Sequence, residues 1–173
     1  MPAPKLPANL DRKFLTGKFI YPLADDTPTI ASGYPLRNDG KTPHTGLDLA
    51  IPVGTTLYAP ATGEVVRSDG SDAKGYGNQL RVWHEALGVT SVMGHCHELI
   101  AAVGQVVAQG QPVAISGGAK GAPGAGSSQG PHCHFEVQVG RSPRGGAKST
   151  PVAQTLDPRD LIKKFRYAPP KTT

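Results

Sequence analysis

Six histidines stand at positions 44, 84, 95, 97, 132 and 134, and most have a partner at a spacing an extended chain can use. His44 and Asp48 are four residues apart in His44-Thr-Gly-Leu-Asp48, an even spacing that puts both side chains on one face of a strand. His132 and His134 flank Cys133 in the same way, and His95 and His97 flank Cys96, so the chain carries two His-Cys-His triplets. Imidazole nitrogen and carboxylate oxygen suit Zn²⁺, whose catalytic sites take three protein ligands and keep a fourth position for water. Several side chains therefore compete for three seats. A lone histidine on a strand is more often exposed or hydrogen-bonded in a core, but pairs at strand spacing shift the reading toward a metal. His84 follows Val82-Trp83 without a partner at i±2 or i±4 and reads as structural. His97 shares a face with His95 if that strand runs far enough, so spacing leaves it open as a ligand.

Such a set has to be positioned by short strands. The chain has 173 residues, a size suited to one domain, and glycine (22) and proline (17) punctuate it too densely for a helical bundle. The apolar runs between them are too regular for disorder, and glycine has no three-residue period, which excludes collagen. Residues 18–21, 46–51, 56–58, 63–67, 79–84, 89–93, 111–116 and 132–139 read as strands rich in branched and aromatic residues. Residues 157–165, with Asp157 ahead of Pro158 and apolar positions at 161, 162 and 165, read as one short C-terminal helix. The predicted fold is all-β, an antiparallel sheet or sandwich with an open groove and long loops. Residues 1–17 read as an arm or linker, 18–165 as the domain, and 166–173 as a basic tail.

Residues 117–130 hold six glycines among fourteen and read as a long mobile loop; the Gly-Lys-Ser/Thr ending of a phosphate loop is absent. The repeat of Gly-Gln at 104–105 and 110–111 reads as paired turns without functional content.

The formal charge of +5 is unevenly placed. From Arg141 onward eight Lys/Arg face only Asp157 and Asp160, a net +6, so the first 140 residues sum to −1. That segment suits an anionic polymer such as teichoic acid, an acidic protein or nucleic acid, or it is simply solvated. Nucleic acid is disfavoured, since Phe165 and Tyr167 are too few for a stacking platform. The apolar stretches are far shorter than the ~18–20 residues that cross a bilayer, so no transmembrane helix is expected. The opening Met1-Pro-Ala-Pro-Lys-Leu-Pro7 lacks the apolar run of a secretory signal.

Along most of its length the sequence resembles the lysostaphin-type, LytM-like zinc metalloendopeptidases. His44-Thr-Gly-Leu-Asp48 is similar to their His-x-Gly-x-Asp signature, and Ala59-Pro-Ala-Thr-Gly63-Glu-Val-Val, Tyr76-Gly-Asn-Gln-Leu-Arg-Val-Trp-His84 and Gly130-Pro-His132-Cys-His134-Phe-Glu-Val follow in the family's order. Ser32-Gly-Tyr-Pro-Leu-Arg37 and Leu156-Asp-Pro158 also fall where the family has related stretches. The resemblance covers about residues 20–163 and implies a duplicated hybrid motif. It implies that His44, Asp48 and His134 hold one zinc ion per chain, with His95 and His132 beside the metal as non-ligands. His132 is then the general base for water, and His95 orients that water or stabilises the charged intermediate.

The implied activity is hydrolysis of peptide cross-links or cross-bridges in bacterial peptidoglycan, at the cell wall. With no signal seen, the expected setting is a phage lysin, free or carried in the virion, with virion proteins or anionic wall polymers as partners of the basic segment. The alternative is a catalytically idle relative that binds wall, activates another hydrolase or is a structural virion protein. Three departures bear on this. Met93 stands where the family's Tyr-x-His segment has tyrosine, which would remove a hydroxyl from the site. The loop at 117–130 is longer than usual. Cys96 and Cys133 replace leucines, and they are expected to be buried thiols, a disulfide behind the site, or, against their outward alternation, a Cys-His nucleophile.

Overall fold

A computed structural model describes residues 17–25, 27–142 and 151–162 of the chain. Eleven strands are present among them: β1 (Ile30–Ser32), β2 (Gly46–Leu49), β3 (Thr56–Tyr58), β4 (Gly63–Asp72), β5 (Gly77–His84), β6 (Val89–Gly94), β7 (Cys96–Leu99), β8 (Val106–Val107), β9 (Pro112–Ser116), β10 (Cys133–Val139) and β11 (Thr155–Leu156). A single turn of helix, α1 (Pro158–Leu161), follows. The larger sheet has the order β1-β2-β10-β6-β5-β4-β8, with β11 also on β10, and every pairing is antiparallel. A smaller sheet runs β3-β9-β7. The all-β antiparallel architecture expected from the sequence is the one observed.

Alternation along the central strands sorts the side chains. Leu47 and Leu49 of β2, Phe135 and Val137 of β10, Val89 and Met93 of β6, and Leu80 and Val82 of β5 join one core cluster with Leu57, Val113 and Ala114 of the smaller sheet. The residues between them on the larger sheet, Asp48, His134, Glu136, Gln138, Gln79 and Arg81, are also buried, so its second face is polar yet covered. Cys96 and Cys133 lie with the apolar set as free, fully buried thiols. Burial pushes the Cys96 thiol up to about 12 and raises Cys133 as well, which removes both as nucleophiles. Of the three fates expected for the cysteines, the structure has buried thiols and no disulfide.

Several elements differ from expectation. Residues 18–21 do not form a strand: Phe19 makes one parallel bridge with Ile162, while the amide of Ile20 turns to the carbonyl of Pro60, so no ladder propagates. The helix begins as expected, with Asp157 accepting from the amide of Arg159 and Pro158 in the first turn, but it stops after Leu161 because Ile162 is extended and used in the bridge to Phe19. Phe165 and the tail over 166–173 lie outside the described residues, as does the arm over 1–17 except for Gly17. The two Gly-Gln turns are built alike: Gln105 and Gln111 each accept, through Oε1, from the amide three residues earlier. No helix among the described residues is long and apolar enough to cross a membrane.

Candidate metal centre

The register of β2 against β10 places Asp48 directly opposite His134, and cross-strand neighbours on one face touch. His44 lies just before β2, separated from it by a bend at Thr45, so it does not reach the site along a continuous strand. Its amide instead donates to the carbonyl of Pro35, and its Nδ1–H donates to the carbonyl of Gly33 at 2.6 Å, which turns Nε2 toward the site. His44 Nε2, Asp48 Oδ1 and His134 Nδ1 then form a triangle with sides of 3.1–3.2 Å. Zinc bonds of about 2.0–2.1 Å in a tetrahedron separate ligand atoms by roughly 3.3 Å, so this donor set fits the ion in size and chemistry. These are the three residues whose ligand atoms converge among the described ones, and all three are buried.

Each donor is held from behind. Arg37 Nη1 donates to Asp48 Oδ2 at 2.8 Å, reserving Oδ1 for the triangle. His134 Nε2–H donates to Glu136 Oε2 at 3.0 Å, which directs Nδ1 inward. Burial works against a charged Asp48, but hydrogen bonds from His134 and His44 hold its carboxyl far below the usual range. Burial likewise disfavours charge on His134, yet Asp48 and Glu136 lift its pKa above the ordinary imidazole value, so uptake of a cation at Nδ1 displaces a proton.

The other two expected histidines come to the same place by irregular backbone. His95 adopts φ 62°, a left-handed conformation tolerated by histidine at a modest cost, at the point where the chain leaves β6 in one sheet for β7 in the other. Its Nδ1–H donates to the carbonyl of Ala125 at 2.8 Å. Burial, helped by His134 and His132, keeps its imidazole neutral, with the pKa pushed down to about 3. His132 precedes β10, joined to Gly117 by an isolated bridge. Its Nδ1–H donates to the carbonyl of Gly130 at 2.8 Å, and its Nε2 lies 3.6 Å from Asp48 Oδ1, near the triangle without joining it. The rings of His95 and His132 are 4.7 Å apart between centroids.

The glycine-rich loop supplies those carbonyls, and it is tied down where a mobile rim was expected. Its backbone bonds to Gly75 and Asn78, and Ser128 Oγ spans the carbonyls of Gly118 and Gly130 at 2.6 and 2.8 Å. His97 is exposed and takes no part, because the turn at His95 breaks the strand that would have aligned the two. His84 is a satisfied core residue, bonded to the carbonyl of Thr62 and to Ser91 Oγ. Met93 points into the core, so the hydroxyl expected to be missing at that position has no access to the site. Tyr76 lays its ring across Gly94, where a Cβ would stand 3.1 Å from it, and packs it 5.1 Å from the ring of His134, with its hydroxyl bonded to Glu136 behind that histidine.

Glu136, Arg37, Tyr76 and Ser128 were not singled out by sequence reasoning. Glu136 was within reach of it, being two residues from His134 and hence on the same face. Of the eight cations after position 140, Arg141 pairs with Glu64 and Arg159 with Asp157; the other six lie outside the described residues.

The family model described as Peptidase family M23 matches residues 42–148. The peptidoglycan DD-endopeptidase ShyB of Vibrio cholerae is 32% identical over 142 residues, which cover 79% of this chain and 31% of that protein. Lysostaphin from Staphylococcus simulans superposes with a TM-score of 0.63 at 25% identity, over 79% of this chain and 49% of the other. A zinc-containing peptidase from Vibrio cholerae superposes with a TM-score of 0.62 at 27% identity, over 83% and 40%. The chain thus spans about a third of the curated relative and under half to half of the solved ones.

Proposed function

From the membership of this chain in peptidase family M23, we propose that it is a zinc-dependent endopeptidase hydrolysing peptide cross-links or cross-bridges of bacterial peptidoglycan. The observation that carries the proposal is the triangle of His44 Nε2, Asp48 Oδ1 and His134 Nδ1, three donors 3.1–3.2 Å apart whose remaining polar atoms are already bonded elsewhere. The wall-directed activity named for ShyB supports the substrate class, and the zinc named for the Vibrio peptidase supports the metal.

Zinc held there would polarise a scissile carbonyl and bring the pKa of a bound water near neutrality. The protein's own contributions divide by position. His132, with Nδ1–H committed to Gly130, offers an unprotonated Nε2 to take a proton from the attacking water and pass it to the leaving amine. His95, neutral and with Nδ1–H committed to Ala125, offers only an acceptor at Nε2, which suits orienting that water better than donating to a developing oxyanion. Arg37 keeps Asp48 to a single inward oxygen. Delivery as a phage lysin, free or virion-borne, and docking on anionic wall polymer or a virion protein belong to the same proposal; their support is the net +6 carried after position 140.

The test is metal content and hydrolysis of purified peptidoglycan on one sample, before and after chelation and zinc replacement, with released termini identified by mass spectrometry. One zinc per chain and restorable cleavage are expected. Zinc without cleavage on several wall types would favour the idle, wall-binding or structural reading, and absence of metal would sink the site.

A further inference from the structure

Glu136 is a fully buried carboxylate beneath His134. Its Oε2 accepts from His134 Nε2 at 3.0 Å, Thr45 Oγ1 at 2.6 Å and Tyr76 Oη at 2.5 Å, and its Oε1 accepts from Gln138 Nε2 at 2.6 Å. Gln138 cannot turn over freely, because its Oε1 accepts from Arg81 Nη1 at 3.2 Å and a guanidinium only donates. Arg81 is itself fully buried and anchored on Gln79 Oε1 and on Ser142. Arg81 therefore sets the Gln138 amide, which must present its NH₂ to position 136, and the carboxylate there accepts that bond on one oxygen and the bond from His134 on the other.

We propose that Glu136 is a positioning residue that fixes the tautomer of His134, holding the proton on Nε2 so that Nδ1 is kept for the metal, and that Gln138 and Arg81 set its orientation. This rests on the zinc site proposed above and deepens it. A carboxylate satisfies the arrangement because it accepts on both oxygens. A glutamine at 136 satisfies only one end: a carbonyl kept toward His134, Thr45 and Tyr76 sets its NH₂ against the NH₂ of Gln138, and a carbonyl turned to Gln138 sets its NH₂ against His134 Nε2 and drives the proton of His134 to Nδ1, the atom the metal needs.

The same logic specifies a rescue. In Glu136→Gln with Gln138→Glu, the carboxylate at 138 accepts from Arg81 and from the NH₂ at 136, so the carbonyl at 136 turns back to His134 Nε2–H. The experiment is zinc affinity by chelator competition for the wild type, E136Q and E136Q/Q138E, together with thermal unfolding of each metal-free protein. E136Q is expected to bind zinc about 10- to 100-fold more weakly, and the double variant to recover most of that loss. A purely structural role would lower metal-free stability in the single variant without a recovery of affinity in the double. E136Q binding within threefold of wild type, or a double variant no better than the single, overturns the proposal. Should E136Q not fold, ¹⁵N histidine spectra of the zinc-loaded wild type decide: a protonated Nε2 on His134 supports it and a protonated Nδ1 overturns it. A wild type that takes up no zinc overturns the site itself, whereas normal wild-type binding with an indifferent E136Q overturns this inference alone.

Discussion

The two halves of the candidate site are built by different means. Asp48 and His134 sit opposite each other on a regular antiparallel ladder, with Glu136 further along the same strand face. His95 and His132 stand on backbone that belongs to no continuous strand, one at φ 62° between two sheets and the other at a lone bridge, and both are aimed by carbonyls of the loop over residues 117–130. A ladder fixes the spacing of Asp48 and His134 through many cooperative bonds, and His44 is held by the carbonyls of Gly33 and Pro35, so the donor triangle depends little on the loop. The neighbouring histidines depend on it wholly. Lesions in the two regions should therefore separate metal binding from turnover.

The largest effects come from the residues themselves. His134→Ala should lose zinc and activity together, with an affinity loss exceeding the ~10–100-fold typical of partners behind a ligand. His132→Ala should retain one zinc per chain and lose turnover by roughly 10²–10⁴-fold, the range general acid–base catalysis supplies. Metal analysis and turnover on a soluble cross-linked peptide, run on the same preparations, test both. Loss of zinc in His132→Ala would erase the division between the two regions.

That division also governs what could be read from the sequence. The strand-forming runs at 56–58, 79–84, 89–93 and 111–116 were legible because alternation of period two and branched residues persist locally, and the same alternation found His134 and would have found Glu136. The short edge strands Ile30–Ser32, Val106–Val107 and Thr155–Leu156 carry too few residues for a pattern. Cys96–Leu99 was hidden because nothing in the sequence marks a left-handed histidine as a change of sheet. Arg37 and Tyr76 reach the site through turns and across Gly94, with partners such as Glu136 sixty residues away from Tyr76, and no local spacing encodes that. The loop was legible as glycine-rich, but glycine content reports permitted conformations and is silent on the bonds that tie them down.

A subtler lesion acts on the loop without touching a histidine. Gly124 has φ 78°, and a Cβ there would lie 2.3 Å from Asn78 Nδ2 and 2.6 Å from the carbonyl of Cys96. Gly124→Ala should displace the segment that carries Ala125, shifting His95 while leaving β2 and β10 in register. A misplacement near 1 Å can cost about 10²-fold, so kcat/KM should fall by roughly 10- to 100-fold with zinc content unchanged. A parallel fall in zinc would mean that the loop and the ladder form one unit.

The smallest effect concerns His84, a histidine in neither region, and it separates burial from metal chemistry as the cause of histidine behaviour. Burial pushes the pKa of His84 down to about 4, against an ordinary 6.5, while Thr62 and Ser91 satisfy both nitrogens of the neutral ring. The folded state thus binds its proton more weakly than the unfolded chain does. The stability contributed by the neutral ring is complete above pH 6.5 and is lost as the pH falls toward 4. Between pH 7 and pH 5 the loss is roughly 2 kcal/mol at this position. In the presence of chelator, His84→Gln should be less stable than wild type at pH 7 yet lose about that much less on acidification, as read by denaturant unfolding at the two pH values. Identical acid sensitivity in the two proteins would place the titration elsewhere, with the buried cluster around Asp48, His134 and Glu136 as its source, and would tie acid stability to the site after all.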